Sequence, residues 1–138
     1  MVKEMFLPLL KGLAKTFEQC FRKPLTIRYP EEKRDIPERF RGNPRLLKDD
    51  QGRTKCVACM LCATVCPSGA IEIEPAEGEE MHIKYPRKYE IDLARCIYCG
   101  LCEEACPVNA IELTRNYELS QYNRDELVYD KERLLKEG

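Results

Sequence analysis

The sequence contains no tryptophan and a single histidine, His82. A histidine-based metal site or general base would have to rest on that one residue, which reads as an ordinary surface position. An excess of one charge sign is also missing: 23 Lys+Arg stand against 24 Asp+Glu, a formal net charge of −1. That balance lacks the strong positive field on which nucleic-acid binding relies. No apolar run approaches the roughly 20 residues that a membrane-spanning helix needs. The N-terminal segment carries Lys3, Glu4, Lys11 and Lys15 and no small-residue cleavage pattern, so it does not read as a secretory signal.

Cysteine, by contrast, is plentiful, with nine residues in 138. An odd number without a secretory signal argues against a disulfide framework. In a reducing compartment, thiols serve as metal ligands or catalytic groups.

Eight of the nine fall in an internal repeat. Residues 55–73 read KCVACMLCATVCPSGAIEI and residues 95–113 read RCIYCGLCEEACPVNAIEL, at an offset of 40 with nine identities. Each copy contains C-x2-C-x2-C-x3-C-P. A duplicated segment of this kind implies two equivalent sites related by a pseudo-twofold. Tyr89, Ile91 and Leu93 alternate with charged residues before the second copy, a strand period. Asp49-Asp50-Gln51-Gly52 reads as a turn before the first. After each copy, Ile71/Ile73 and Ile111/Leu113 alternate with Glu, again as half-buried strands. Between the third and fourth cysteines there is room only for a short helix, ended by Pro67 or Pro107. Ala76–Glu80 reads as a charged loop, followed by an extended arm with Ile83 and Tyr85 on one face.

The spacing has a chemical meaning. Three thiols separated by two residues each let one loop wrap a cubane and direct its backbone N–H groups at the sulfides. Zinc sites use paired C-x2-C motifs instead, and a third cysteine followed by C-P fits them poorly. The run resembles that of bacterial ferredoxins, in which the fourth cysteine ligates the other cluster. That resemblance implies two [4Fe–4S] clusters. One is held by Cys56, Cys59, Cys62 and Cys106, and the other by Cys96, Cys99, Cys102 and Cys66. It also implies an α+β fold, a two-[4Fe–4S] ferredoxin-like domain of about 70 residues whose folding energy comes largely from cluster binding. No nucleophile paired with a base and no glycine-rich phosphate loop occurs in the repeat, so the expected activity is electron transfer.

Flanking segments narrow the family. Arg22-Lys23-Pro24-Leu25-Thr26-Ile27, Tyr29-Pro30-Glu31-Glu32-Lys33-Arg34, Arg39-Phe40-Arg41-Gly42, Tyr89-Glu90-Ile91-Asp92 and Tyr117-Glu118-Leu119 resemble the TYKY-type iron–sulfur subunit of respiratory complex I. This is subunit I of bacterial NADH–quinone oxidoreductase. The resemblance runs from about Gly12 to Leu135, and all eight ligand positions of the family are present. It implies a non-catalytic relay subunit where the peripheral and membrane arms meet. Such a subunit passes single electrons towards the last cluster and quinone, on the cytoplasmic side of a prokaryotic membrane. The expected partners are other subunits of both arms, with no nucleic acid and no direct NADH or quinone binding. The chain lacks the terminal extensions of some relatives and an Arg- and Ser-rich leader, which reads as prokaryotic.

Four segments are expected: residues 1–23, an N-terminal amphipathic helix; 24–43, an extended partner-contacting stretch; 44–115, the ferredoxin-like domain; and 116–138, a tail with a helix near Arg124–Lys136. In the first, Leu9, Leu10, Leu13, Ala14, Phe17, Cys20 and Phe21 recur at helical spacing from Pro8 onward, opposite Lys11, Lys15, Glu18 and Arg22. Such a helix suits peripheral membrane contact or docking on a protein neighbour. Cys20 reads as a small buried residue on its face. The charge run Lys33, Arg34, Arg39, Arg41, Arg45 and Lys48 has the ordinary reading of a solvated loop. Its length and prolines point to wrapping over partner subunits. Tyr117, Tyr122 and Tyr129 fit either partner contact or packing. Other readings of the whole chain are a homologous two-cluster subunit of a membrane hydrogenase or other donor:quinone reductase, a free soluble ferredoxin, and a zinc-bound module.

Overall fold

The computed structural model describes residues 2–78 and 84–136. The chain forms two compact units, Met1–Asp35 and Ile36–Gly138. His82, Ile83 and part of the charged loop lie outside the described residues.

In the first unit, helix α1 runs Val2–Cys20. It starts earlier than the proline at position 8 implies. Pro8 stands inside it, where the ring forgoes the bond to the Glu4 carbonyl, and the stretch before it continues the same helix. Its last turn closes through Phe21 N–H to Glu18 O and Arg22 N–H to Gln19 O. Glu18 pairs with Lys15 at 2.7 Å and Arg22 at 3.0 Å. From Phe6 onward its side chains are exposed, Leu13 at 67%, and Phe21 just beyond its end is exposed at 77%. Cys20 shares that exposure, which corrects the expectation of a buried residue. Among the described residues, no helix is long and apolar enough to cross a membrane.

Among the described residues the second unit has three strands of two or three residues and two longer ones of seven and nine. Strand β1 (Pro44–Leu46) leads to the first cysteine loop, and short helix α2 (Leu61–Val65) follows it. Strands β2 (Ile71–Glu77) and β3 (Lys84–Asp92) come next, then helix α3 (Leu101–Glu104) and strand β4 (Ile111–Leu113). The pairing crosses the repeat. Strand β1, entering the first motif, pairs antiparallel with β4, leaving the second, with Leu46 opposite Ile111. Strand β2, leaving the first motif, pairs antiparallel with β3, entering the second, with Ile71 opposite Ile91. Alternation sends Ile73, Tyr89 and Ile91 inward and sets Glu72, Glu74 and Glu90 against Lys88 and Arg87 outside. A register shift at Glu74/Pro75 accommodates prolines, which cannot donate to a ladder.

The turn before the first motif forms as the sequence implies. Asp49 Oδ1 accepts from the N–H groups of Gln51 and Arg53 at 3.0 and 2.8 Å, and Lys48 bridges Thr54. Helix α2 stops where Cys66 turns extended, with ψ 112°, the geometry imposed by the following Pro67.

The expected C-terminal helix is broken. A 3₁₀ turn (Arg124–Leu127), strand β5 (Val128–Tyr129) and helix α4 (Lys131–Lys136) replace it. Val128 and Tyr129 instead pair with Asp92 and Ile91. The helix restarts at Asp130, whose Oδ1 accepts from Arg133 N–H at 2.8 Å. Tyr129 is buried under the Arg133 guanidinium, 3.7 Å from its centroid, and Leu134 is fully buried. Of the three tail tyrosines, Tyr129 is thus a packing residue, Tyr122 is exposed and Tyr117 meets Phe40 edge-on.

Candidate metal centre

Two cavities open on the paired strands, and each is lined by four cysteines. The first, about 320 Å³ of open space, has Cys56, Cys59, Cys62 and Cys106 in its wall. The second, about 400 Å³, has Cys66, Cys96, Cys99 and Cys102. The grouping follows from the pairing above, because each fourth cysteine precedes a strand bonded to the opposite motif. Among the described residues no three His, Cys, Asp or Glu side chains are placed to hold a single metal ion; the thiols surround cavities instead.

The loops around them share a backbone. Ala58 and Tyr98 have φ of 50° and 52°, Met60 and Gly100 64° and 83°, Gly69 and Asn109 57° and 46°. Each pair is separated by the repeat offset. Left-handed residues are costly unless glycine or asparagine, yet Ala58, Met60 and Tyr98 adopt the conformation. Residues of alternating hand turn successive N–H groups to one side, a concavity suited to anionic groups. Two N–H groups meet cysteine sulfur directly: Ala70 to Cys66 Sγ at 3.4 Å and Ala110 to Cys106 Sγ at 3.1 Å.

Other sulfur partners differ between the cavities. Tyr89 Oη lies 3.5 Å from Cys62 Sγ, and Ser68 Oγ 3.5 Å from Cys66 Sγ. Burial pushes the Cys56, Cys62 and Cys96 thiols up and Cys102 up to about 12. Burial acts upward on Cys66 too, but the Ser68 hydroxyl and the N–H groups of Ala70, Ser68 and Gly69 outweigh it and hold that thiol below its ordinary value. Soft thiolates with N–H donors around a cavity suit iron–sulfur clusters, so the residues present fit the group that the motif implies.

Three contributors do not stand out in the sequence. Tyr89 shows in the strand period only as a buried position, and Ser68 is an ordinary residue after Cys66-Pro67. Arg41 lies in the charge run assigned to partners, yet its Nη1 donates to the Cys99 carbonyl and its Nη2 to Glu104 Oε1 at 2.9 Å. Arg45 likewise meets Glu112, at 2.6 Å from Nε. These two arginines hold their own chain.

Comparison with known proteins follows the same line. Residues 55–110 match the 4Fe-4S dicluster domain, so the chain carries a ferredoxin-like domain for two [4Fe–4S] clusters. NADH-quinone oxidoreductase subunit I 2 of Geobacter metallireducens is 47% identical over 131 residues, covering 95% of this chain and 98% of that one. Subunit I of Pseudomonas putida is 48% identical over 129 residues, covering 94% of this chain and 70% of that protein. The chain belongs to the NADH-quinone oxidoreductase subunit I family. Among solved structures, a chain of the membrane-bound sulfane sulfur reductase, an archaeal respiratory membrane complex, aligns with TM-score 0.57 and 32% identity. The match covers 81% of this chain and 56% of that one.

Proposed function

We propose that this chain is the electron-relay subunit of an NADH–quinone oxidoreductase. Cys56, Cys59, Cys62 and Cys106 would hold one cluster, and Cys96, Cys99, Cys102 and Cys66 the other. Each bound cluster supplies a one-electron couple. The protein's part is to fix eight thiolates, exclude water from one side of each cavity and aim N–H groups at sulfur. Neither NADH nor quinone has a site here in this reading; both belong to partner subunits.

The observation that carries the reading is the correspondence of the two cavities. Each of the twelve residues lining the first has a counterpart lining the second. Ten are related by the repeat offset, and Leu46 with Ile91 and Tyr89 with Pro44 by equivalent strand pairing. This supports a pseudo-twofold repeat with the fourth cysteine exchanged. Two corresponding one-electron sites side by side in one domain make a wire in this reading.

Helix α1 supports the location. Leu9, Leu10, Leu13 and Phe17 are exposed together, and a diffusible ferredoxin has no use for such a face. In this reading α1 is an amphipathic helix on the membrane-arm subunits, at the cytoplasmic surface of the membrane. In the same reading the stretch 24–43 runs across partner subunits, with Arg41 held to its own domain. The similarity to the sulfane sulfur reductase chain favours a second reading, in which the partners take electrons from another donor.

Purification of the tagged chain from its native membranes decides between them. Co-purification with NADH-oxidising subunits is the expected result, and recovery with hydrogenase or sulfur-reducing subunits alone establishes the second reading. Deleting residues 1–21 is expected to leave the iron content intact and abolish membrane-arm attachment. Unchanged attachment would refute the assignment of α1.

A further inference from the structure

The two cavities differ most sharply where Gly100 stands in place of Met60, because that exchange admits a full charge. Arg41 lies across Gly100: a Cβ there would stand 2.8 Å from Arg41 Nε and 3.0 Å from Cζ. Gly100 also has φ +83°, so both backbone conformation and space favour glycine. The guanidinium is fastened on both sides, to the carbonyl of Cys99 and to Glu104. Cys99 lines the second cavity. The cation is therefore attached to the peptide group of a cavity cysteine.

We propose that Arg41, opposed by Glu104, sets the reduction potential of the cluster held by the second loop. Reduction adds a negative charge to the cluster. A fixed cation nearby favours the reduced form and raises the potential, and a carboxylate lowers it. Arg41 touches neither iron nor sulfide in this scheme and acts as a positioning residue. The inference rests on the cysteine assignment above for the identity of the cluster concerned.

The test is an EPR-monitored redox titration of the full chain loaded with both clusters. A Cys66→Ala preparation identifies which signal belongs to the second-loop cluster. Arg41→Ala is expected to lower that cluster's potential by about tenfold in the one-electron equilibrium, 59 mV, and to leave the other in place. Arg41→Lys keeps the charge and is expected to recover most of the shift. Glu104→Gln is expected to move the same potential upward. Unmoved potentials in both Arg41→Ala and Glu104→Gln, with both signals present, overturn the proposal. So does an Arg41→Lys protein that behaves like Arg41→Ala. Should Arg41→Ala fail to retain the cluster, Glu104→Gln decides, since it leaves the bond to Cys99 intact. If Arg41→Ala moves the signal that survives in Cys66→Ala, the ligand assignment fails while the influence of Arg41 on a cluster stands.

Discussion

Replacing Tyr89 by phenylalanine removes one oxygen from the wall of the first cavity and little else. The ring is 1% exposed and pairs across the sheet with Ile73, so phenylalanine keeps the packing. What is lost is the hydroxyl 3.5 Å from Cys62 Sγ. A hydrogen bond between neutral groups contributes about 0.5–1.5 kcal/mol, and one to a charged group about 1.5–3 kcal/mol. Adding an electron to the cluster makes the sulfur a better acceptor. The acceptor is a thiolate in both states, and strengthening across the span of the second class on reduction gains about 1 kcal/mol. Because tenfold in a one-electron equilibrium is 59 mV, that gain corresponds to about 40 mV. The Tyr89→Phe chain should therefore show one potential lowered by about 40 mV and the other unchanged, with cluster content as in the parent. EPR-monitored titration of the loaded chain measures both. Two unchanged potentials would refute the bond's role. A shift confined to the signal lost in Cys66→Ala would place Tyr89 beside the wrong cluster.

Cys66→Ala should halve the iron, from about eight to about four per chain, and leave the signal of the Cys56–Cys62 loop; selective loss of that signal instead would rule out the crossed ligand sets. Gly42→Ala should destabilise the second unit by about 1–3 kcal/mol, read as a lower denaturation midpoint of the loaded chain. Its Cβ would crowd the Asn116 carbonyl and stand 2.8 Å from that of Thr114, and backbone cannot swing away. Leu134→Ala should cost about 2–5 kcal/mol, because Leu134 is completely buried; a midpoint within error of the parent would mean that α4 is not part of the cooperative core.

The repeat was the most legible part of the sequence, since its cysteine spacing resembles that of bacterial ferredoxins. Strands followed from period-two alternation at Tyr89, Ile91 and Leu93 and at Ile71 and Ile73, where one face is buried. Less legible were features that depend on tertiary partners. Arg41 and Arg45 look like any solvated charges until Glu104, Glu112 and the Cys99 carbonyl are brought to them across 58 or more residues. The C-terminal tail carries a helical composition, but two residues in its middle gain more by completing the edge of β3, which no local propensity records. Pro8 misled in the opposite direction: it is equally compatible with a first turn and, at the loss of one bond, with a second.

The exchange of strands between repeats bears on how the molecule is made and where it came from. Neither cavity is complete in one repeat: the first waits for Cys106 and β4, the second for Cys66 and β2. A ribosome that has delivered only the first copy has delivered no finished site. On the ligand sets proposed above, metallation of either site would follow synthesis of both copies. An ancestral chain with one copy would have needed a second molecule of itself to supply the fourth thiol and the partner strand. In that light the duplication turned an association between two molecules into a link within one.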